Sequence, residues 1–294
     1  LRESDSKRKY LRFALGFSSK RPDFAFIAAK FFFPFLKKRV AFPFDIDFAE
    51  RPLRKGRRIY KEDAVIFRSD KVTARVALFT GCAVNYLYPS LGRSLIETLL
   101  DAGYEVVLPP GEACCGAPLR ALGMEKEAAE LSKKNIEVFR MLRVEAVLSL
   151  CPTCTLTIKR HYPKLIGEGI ENAMDVSEFI AKKGFKNLRP SNGSGKKVYY
   201  HDPCHLAFGL SIKDEPRKIL RGLGYEVVES REPSCCGFGV SMTHKELSGE
   251  LLKERLEEAR GAEEIVTSCP ACMLQLGRGG KKVRHIIELI NGKS

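Results

Sequence analysis

The sequence predicts an α/β protein with two duplicated domains, each containing a parallel sheet. Short apolar stretches typical of buried strands alternate with amphipathic helical patterns, which indicates βαβ units. One cysteine pattern occurs twice along the chain. The cysteines lie where predicted strands end, and parallel sheets collect ligands at the carboxyl ends of their strands. We therefore expect two related domains, at residues 75–190 and 196–294, after an N-terminal segment at residues 1–74.

Four predicted strands run directly into cysteine-containing segments. They cover residues 75–80, 146–150, 197–201 and 264–267. Helical patterns occupy the intervals at residues 90–102, 124–143, 215–223 and 245–260. Residues 191–195, with the sequence Ser-Asn-Gly-Ser-Gly, have the composition of a flexible linker. The order of these elements places a junction between the two domains there.

All ten cysteines belong to the repeated pattern. The first copy contains Cys82, Cys114, Cys115, Cys151 and Cys154, and the second contains Cys204, Cys235, Cys236, Cys269 and Cys272. Equivalent cysteines are 122, 121 and 118 residues apart. The peptide Gly-Tyr-Glu-Val-Val precedes the Cys-Cys pair in both copies, at residues 103–107 and 224–228. A near-constant offset between two copies indicates a duplicated domain.

Five thiols per copy favour an iron–sulfur site over two alternatives. Zinc needs four ligands, as does an ordinary cubane cluster. Disulfides fit poorly, because adjacent cysteines rarely bridge each other and no secretory signal is visible at the start. The chain is also long enough to bury a core without covalent staples. We expect two metal sites with iron and sulfide, and zinc remains the second choice.

The local sequence around the cysteines suits metal binding. Each copy ends in Cys-Pro-x-Cys, at residues 151–154 and 269–272. Proline fits the first turn of a helix, and the helix dipole favours the thiolate form of a cysteine at that position. Gly116 and Gly237 follow the Cys-Cys pairs, and we expect these glycines to allow close approach of the backbone to a bulky cluster.

Two histidines flank the first cysteine of the second copy. His201 and His205 are candidates either for hydrogen bonding to cluster sulfur or for proton donation to a bound substrate. Simple packing at the end of a strand is the alternative. His161, His244 and His285 are interpreted as structural or surface residues. The sequence has no Walker A motif and no Gly-x-Gly-x-x-Gly after a strand, so it gives no indication of a nucleotide site.

The N-terminal segment differs in composition from the rest of the chain. Residues 1–75 contain 20 Lys and Arg against 9 Asp and Glu, a charge of +11 out of the total +14, and 12 of the 18 phenylalanines. We expect a basic, aromatic and mainly helical arm. It could lie on an anionic membrane surface, pack on a partner subunit or cover the body of the protein. Its longest apolar stretch, at residues 24–36, is too short to span a bilayer. No nucleic-acid-binding module is legible, so we expect no nucleic-acid partner.

The motifs resemble those of the cysteine-rich CCG domain, present twice. The residues that carry the resemblance are Thr80-Gly-Cys-Ala-Val-Asn-Tyr86, Cys114-Cys-Gly-Ala-Pro118, Tyr200-His-Asp-Pro-Cys-His205, Cys235-Cys-Gly237 and both Cys-Pro-x-Cys units. The domain is similar to that of heterodisulfide reductase catalytic subunits. It is also similar to that of the iron–sulfur subunits of anaerobic glycerol-3-phosphate dehydrogenase and glycolate oxidase, and of lactate-utilisation proteins. The resemblance covers about residues 74–294 and implies two Rossmann-like CCG domains.

The resemblance to heterodisulfide reductase implies two [4Fe-4S] clusters of the noncubane kind, each held by one five-cysteine motif. It implies an iron–sulfur oxidoreductase that transfers electrons to a disulfide-like acceptor. The respiratory relatives imply a different role, in which the subunit passes electrons from a flavoprotein dehydrogenase to quinone. A zinc-stabilised structural module is the third alternative. The location implied is the cytoplasm, either free or on the cytoplasmic side of the membrane.

One departure from the resemblance concerns electron input. Many fused relatives begin with a ferredoxin domain marked by C-x₂-C-x₂-C-x₃-C, and this sequence lacks that motif. We therefore expect that electrons come from a ferredoxin-type or flavoprotein partner, and that this chain has either lost the domain or relies on a partner for it. The segment at residues 1–74 resembles the linker that normally follows it.

Overall fold

The computed structural model describes residues 64–185, 195–230, 234–241 and 243–292, together with residues 9, 12–14, 16–19, 24–26, 28, 50, 52 and 53. Within the N-terminal segment, the described residues at 12–14, 16–19 and 24–26 are helical. The linker at residues 191–194 and most of the predicted arm lie outside the described residues. The arm and the boundaries at residues 74, 190 and 196 therefore stay predictions. Among the described residues, no helix is both long and apolar enough to cross a membrane.

The first repeat is a five-stranded sheet in the order β1-β3-β2-β4-β5. Its strands are β1 (Val65–Phe67), β2 (Ala74–Leu78), β3 (Tyr104–Leu108), β4 (Ala146–Ser149) and β5 (Ala173–Asp175). All neighbours pair in parallel except β1, which pairs antiparallel with β3. The helices are α1 (Pro89–Asp101), α2 (Ala117–Ala121), α3 (Glu125–Arg140), α4 (Pro152–Leu156), α5 (Tyr162–Ile166) and α6 (Val176–Lys183).

The second repeat is a four-stranded parallel sheet in the order β7-β6-β8-β9. Its strands are β6 (Lys197–His201), β7 (Glu226–Val228), β8 (Glu264–Thr267) and β9 (Val283–His285). The helices are α7 (Asp214–Gly222), α8 (Lys245–Glu258), α9 (Pro270–Leu276) and α10 (Ile286–Asn291). Short 3-10 helices cover Phe238–Val240, Ala259–Gly261 and Gly277–Gly279. Strands β6 to β9 repeat the order of β2 to β5, so the two repeats share one topology.

The first cysteine of each motif is followed by a π-helical turn that the sequence did not predict. These turns span Ala83–Leu87 and His205–Gly209, and a third at Thr157–His161 connects α4 to α5. In a π-helical turn the hydrogen bonds join residues five positions apart, and such turns are frequent at functional sites.

The predicted α/β fold with two parallel-dominated sheets is confirmed. The eight predicted strands and helices are present, and their ends agree with the prediction to within three residues. The amphipathic patterns were reliable because each helix buries one apolar face, as in α1 with Leu91, Leu95 and Leu99.

The two repeats share one hydrophobic core. Helix α10 of the second repeat packs on α1 of the first, and α6 packs on α7. Buried Leu95 and Leu148 belong to the same apolar cluster as Leu220 and Leu289. The Asn291 side chain donates a hydrogen bond to the Ser94 carbonyl at 3.1 Å. This packing holds the cysteine-bearing edges of the two sheets against each other.

Candidate metal centre

The five thiols of the first motif form an unbroken series of neighbours. Each thiol lies close enough to the next one in the series to shift its pKa. The order of the series is Cys82, Cys114, Cys115, Cys154 and Cys151. Strands β2, β3 and β4 bring these cysteines together, since each strand ends at the same edge of the sheet.

The second motif has the same arrangement. Its thiols follow the order Cys204, Cys235, Cys236, Cys272 and Cys269. The Sγ atoms of Cys236 and Cys272 are 3.3 Å apart, and the Gly237 amide donates a hydrogen bond to the Cys235 sulfur at 3.3 Å. The structure therefore brings together all five sequence-predicted cysteines of each motif.

The two series meet at Cys151 and Cys269. The thiols of these residues lie close enough across the boundary between the repeats to shift each other's pKa. The ten sulfur atoms thus form one continuous line, with a pseudo-two-fold relation at its centre. Cys151 and Cys269 are buried, whereas Cys82, at one end of the line, is exposed.

Hydrogen bonding within the line lowers the pKa of three thiols. The pKa of Cys115 falls to about 6, chiefly because Cys114 donates a hydrogen bond to it. The pKa of Cys151 falls well below its ordinary value because of hydrogen bonds from Cys154 and Cys269, with help from backbone N–H groups at the start of α4. The pKa of Cys235 falls because Cys204 donates to it. Each motif therefore has a thiolate, the metal-binding form, at neutral pH.

The glycines after the Cys-Cys pairs have a left-handed backbone conformation, and the expected close approach to a cluster stays a prediction. Gly116 and Gly237 both have a φ of +86°, in the left-handed region. A Cβ atom on Gly237 would lie 2.8 Å from the carbonyl oxygen of Ser248 on α8. The glycines permit a left-handed turn into the next helix, and in the second repeat they permit close packing of α8 as well.

Different acidic residues anchor the loop before the first cysteine in the two repeats. In the first, buried Glu112 accepts hydrogen bonds from the Thr80 amide, the Thr80 hydroxyl and the Gly81 amide at 2.7–3.1 Å. In the second, buried Asp202 accepts a bidentate pair from Arg217 at 2.6 and 2.8 Å. These anchors fix the segments that carry Cys82 and Cys204.

His201 lies inside the second site. Its imidazole ligand atom and the sulfur atoms of Cys236 and Cys272 all lie within 4.8 Å of one another. Burial lowers the pKa of His201 to about 4, so the ring is neutral at physiological pH. Its Nε2 has no hydrogen-bond partner among the described residues. Counting back from the first cysteine of each motif, Phe79 holds the equivalent position in the first repeat.

His205 lies at the boundary between the two repeats. Its Nδ1 is 2.7 Å from the hydroxyl of Thr153, the residue between Cys151 and Cys154. His205 is exposed, unlike His201. The two histidines that the sequence placed together therefore have different surroundings.

Two buried residues at equivalent positions end the outer strands, of which the sequence analysis named only His285, as a structural or surface residue. Asp175 ends β5 and caps α6, and His285 ends β9 and caps α10. The Nε2 of His285 donates to the Leu150 carbonyl at 3.1 Å, next to Cys151 in the other repeat. The related peptides at residues 174–180 and 284–290, Met-Asp-Val-Ser-Glu-Phe-Ile and Arg-His-Ile-Ile-Glu-Leu-Ile, carried the signal in the sequence.

The residues present suit iron–sulfur clusters. The two sets of five thiols are mostly buried, and each includes thiols whose pKa is lowered. The chemistry of the donors is soft sulfur throughout, apart from His201 in the second site. Four thiols would suffice for a cubane, so one thiol per motif is left for an additional bond to iron.

Comparisons with known proteins agree with this chemistry. The profile of the cysteine-rich domain, CCG, matches residues 76–159 and 198–277. The chain is 35% identical over 233 residues to a fumarate reductase (CoM/CoB) subunit of Methanothermobacter marburgensis, with 74% of this chain and 46% of that protein covered. It is 31% identical to lactate utilization protein A of Bacillus subtilis, with 74% of this chain and 100% of that protein covered.

A third relative points to quinone chemistry in a longer protein. The EtfAB:quinone oxidoreductase of Syntrophomonas wolfei is 29% identical over 258 residues, with 81% of this chain and 36% of that protein covered. The chain spans less than half the length of this relative and of the one from Methanothermobacter marburgensis.

Proposed function

The chain belongs to the cysteine-rich CCG domain family, and on that premise we propose that it is an iron–sulfur subunit that transfers electrons to a disulfide acceptor. The continuous line of ten thiols carries the proposal. Two five-thiol sets meet at Cys151 and Cys269, and reduction of one disulfide needs two electrons. Two one-electron sites that lie next to each other can deliver both electrons to one disulfide.

Two [4Fe-4S] clusters, one per motif, would supply one-electron transfer when bound. The ten cysteines would hold them, Cys82, Cys114, Cys115, Cys151 and Cys154 in one and Cys204, Cys235, Cys236, Cys269 and Cys272 in the other. The noncubane form accounts for the fifth thiol of each set. Burial of the central thiols keeps water from the junction between the sets.

The acceptor reaction balances with two electrons and two protons. The S–S bond breaks, and each of the two sulfur atoms released gains one electron and one proton. The electrons come from an external donor subunit, of flavoprotein or ferredoxin type. His205 is exposed and its Nδ1 faces Thr153, so its Nε2 is the ring nitrogen suited to give a proton to a released thiolate. His201 is buried, and we assign it a hydrogen bond to cluster sulfur.

Transfer from a flavoprotein to quinone is the second candidate. The name of the Syntrophomonas wolfei relative, which matches 81% of this chain, favours it. The basic and aromatic composition of residues 1–75 also suits a location on a membrane surface. In that case, the protein would act on the cytoplasmic side as a peripheral subunit.

Metal analysis separates the iron–sulfur sites from a zinc site. The anaerobically purified protein should contain about eight iron and eight sulfide per chain, four for each motif. Stoichiometric zinc without iron would overturn the proposal. The group of His201, Cys236 and Cys272 is where a zinc ion would have most of its ligands.

Acceptor assays separate the two redox candidates. The dithionite-reduced protein should be oxidised by a soluble disulfide with release of two thiols per disulfide, and it should react slowly with a water-soluble quinone. The reverse preference would favour the quinone role. A Cys235→Ser variant should lose or alter the spectrum of the second site, since five-thiol ligation uses every cysteine. An unchanged spectrum and iron content would contradict five-thiol ligation.

A further inference from the structure

The duplication creates two related contacts between the repeats. Each contact joins the π-helical turn after the first cysteine of one repeat to the Cys-Pro-x-Cys helix of the other. Turn His205–Gly209 packs on α4, and turn Ala83–Leu87 packs on α9. We call the first the basic seam and the second the neutral seam, for the residues described next.

The side chains of the two seams differ at four of five equivalent positions. The basic seam contains Arg120, Thr153, His161, Lys164 and His205. Counting from the cysteines of each motif, the neutral seam has Ser241 for Arg120, Ala271 for Thr153, Gly279 for His161 and Ala83 for His205. The fifth position is lysine in both seams, but Lys282, the equivalent of Lys164, pairs with Glu264 at 3.5 Å. The duplication has therefore kept the cysteines equivalent while placing an arginine and two histidines on one side only.

Three groups of the basic seam lie near one histidine ring, that of His161. Burial lowers the pKa of His161, and Arg120, Lys164 and His205 lie near enough to lower it further. Among the described residues, no carboxylate forms an ion pair with Arg120 or Lys164. Nearby carboxylates are engaged elsewhere, Glu168 with Arg140 and Glu178 with Lys159 at 3.9 Å.

A polar atom without a protein partner lies in the same group. The Nδ1 of His161 is buried and has no hydrogen bond among the described residues. Buried polar atoms in proteins are nearly always hydrogen-bonded, either to the protein or to a bound molecule. Thr153 lies between Cys151 and Cys154, and His205 directly follows Cys204, so this end of the group is beside the thiols.

The neutral seam has a contact with the N-terminal segment. The ring of Phe26 packs on Tyr86 with centroids 5.1 Å apart, and the Leu53 amide donates to the Asn85 carbonyl at 3.2 Å. Tyr86 and Asn85 belong to the π-helical turn that lines this seam. Described residues of the arm therefore lie against the neutral side.

We propose that the basic seam binds an anionic group of the acceptor, a carboxylate, phosphate or sulfonate, and is the side from which the acceptor reaches the thiols. The assignment of this anion to the acceptor rests on the proposed function, whereas the anion site itself does not. Arg120 and Lys164 would supply the charge, and Thr153, His161 and His205 the hydrogen bonds.

Histidine labelling tests the anion site on the anaerobic protein with its clusters bound. Diethyl pyrocarbonate modifies accessible imidazoles, and peptide mass spectrometry reports each site. Inorganic phosphate should slow labelling of His205 relative to potassium chloride of equal ionic strength. His244, which is exposed and lies outside the basic seam, should react at the same rate in both salts. Equal slowing at the two histidines, or none at His205, would overturn the site.

Charge variants identify the residues responsible. Arg120→Gln combined with Lys164→Gln should abolish the phosphate protection of His205. Lys253→Gln combined with Arg260→Gln removes the same charge from exposed positions of the second repeat and should leave the protection intact. Protection that survives the first pair, or that is lost equally in both pairs, would contradict a local anion site.

Two disulfides test the link to the acceptor. The dithionite-reduced protein is mixed with 5,5′-dithiobis(2-nitrobenzoate), which carries two carboxylates, or with uncharged 4,4′-dithiodipyridine. Arg120→Gln/Lys164→Gln should slow the first reaction about tenfold more than the second, the loss expected for one charge-assisted hydrogen bond. Equal slowing would show that the anion site is not on the acceptor's path. If neither disulfide reacts while phosphate still protects His205, the proposed function fails and the anion site stands.

Discussion

Burial shifts the pKa values of Asp175 and His285 in opposite directions, although the two residues hold equivalent positions in the repeats. Each ends an outer strand and caps the following helix, at equivalent places. Burial raises the pKa of Asp175 to about 7 and lowers the pKa of His285 to about 4. Both changes favour the uncharged form. Asp175 and His285 therefore each carry less charge than the same side chain would in the unfolded chain at the same pH.

Asp175→Asn should change how stability depends on pH. An unfolded aspartate loses its proton near pH 3.8, but folded Asp175, whose pKa is raised, keeps it up to about pH 7. Between these values the folded state binds the additional proton, so stability falls as pH rises, by about 1.4 kcal/mol per unit. Asparagine does not titrate and can still accept the hydrogen bond from the Ser177 amide.

Thermal unfolding under anaerobic conditions at pH 5 and pH 8 measures this effect. The advantage of Asp175→Asn over the parent protein should be larger at pH 8, by up to about 3 kcal/mol. Asp214→Asn, on an exposed carboxylate in the first turn of α7, is the control and should show no such pH-dependent gain. An Asp175→Asn advantage that is equal at the two pH values would refute the assignment.

At the scale of elements, the loops that carry the cysteines are held by specific backbone requirements. The left-handed glycine at 237 lets the chain pass under α8, and Glu112 satisfies two backbone amides before Cys82. Gly237 and Glu112 thus help to position the cysteines next to them, although neither residue is itself a metal ligand. Substitutions there should affect one motif and spare the other.

Gly237→Ala should damage the second site. The φ of +86° costs a non-glycine residue about 1 kcal/mol, and the new Cβ would clash with the Ser248 carbonyl at 2.8 Å. We expect iron content to fall towards half, with the signal of the first site retained. Gly239→Ala is the matched control, since a Cβ there meets no atom within 4 Å. Similar losses in both variants would show that the strain at Gly237 is unimportant.

Glu112→Ala should damage the first site and spare the second. Removal of the carboxylate leaves the Thr80 and Gly81 amides without their acceptor in a buried place, at a cost of about 1–3 kcal/mol each. The first site should then lose iron before the second on mild exposure to a chelator. Glu257→Ala, at an exposed position on α8, should behave like the parent protein. Loss from both sites at one rate would contradict a local anchoring role.

The elements differ in how far the sequence could predict them. Strands such as β6 and β8 and helices such as α8 were found because their apolar patterns are local and regular. Strands of three residues, β5 and β9 among them, are too short to show a period. The π-helical turns depend on how the chain leaves the sheet after a cysteine, which no local pattern records. The cysteines could be grouped from the sequence because their spacing is repeated. The roles of Asp175, His285 and Glu112 could not be predicted, because they depend on contacts between segments that are distant in the sequence.

At the scale of the whole molecule, the junction of the repeats determines the geometry of the candidate centre. Cys151 and Cys269 belong to different repeats, and their contact depends on how the two sheets are held together. The sequence predicted two domains joined by a linker and gave no indication of a shared core. That core arises from long-range packing of α10 on α1 and of α6 on α7, which the periodicity of single helices does not reveal.

A substitution in the shared core should therefore affect both sites at once. Leu289 lies on α10 and is fully buried in the cluster that includes residues of both repeats. Leu289→Ala should cost about 2–5 kcal/mol and lower the unfolding temperature by about 5 °C or more. Met141→Ala, at a residue 84% exposed, should change it little.

The decisive observation is whether the two sites fail together. Anaerobic heating of Leu289→Ala, followed by far-ultraviolet circular dichroism and by visible absorption of the clusters, should show one transition shared by both signals. If the absorption of the second cluster were lost while that of the first persisted, each repeat would fold around its own centre. A single transition follows from the shared core, because α10 cannot leave α1 without exposing apolar side chains of the first repeat to water.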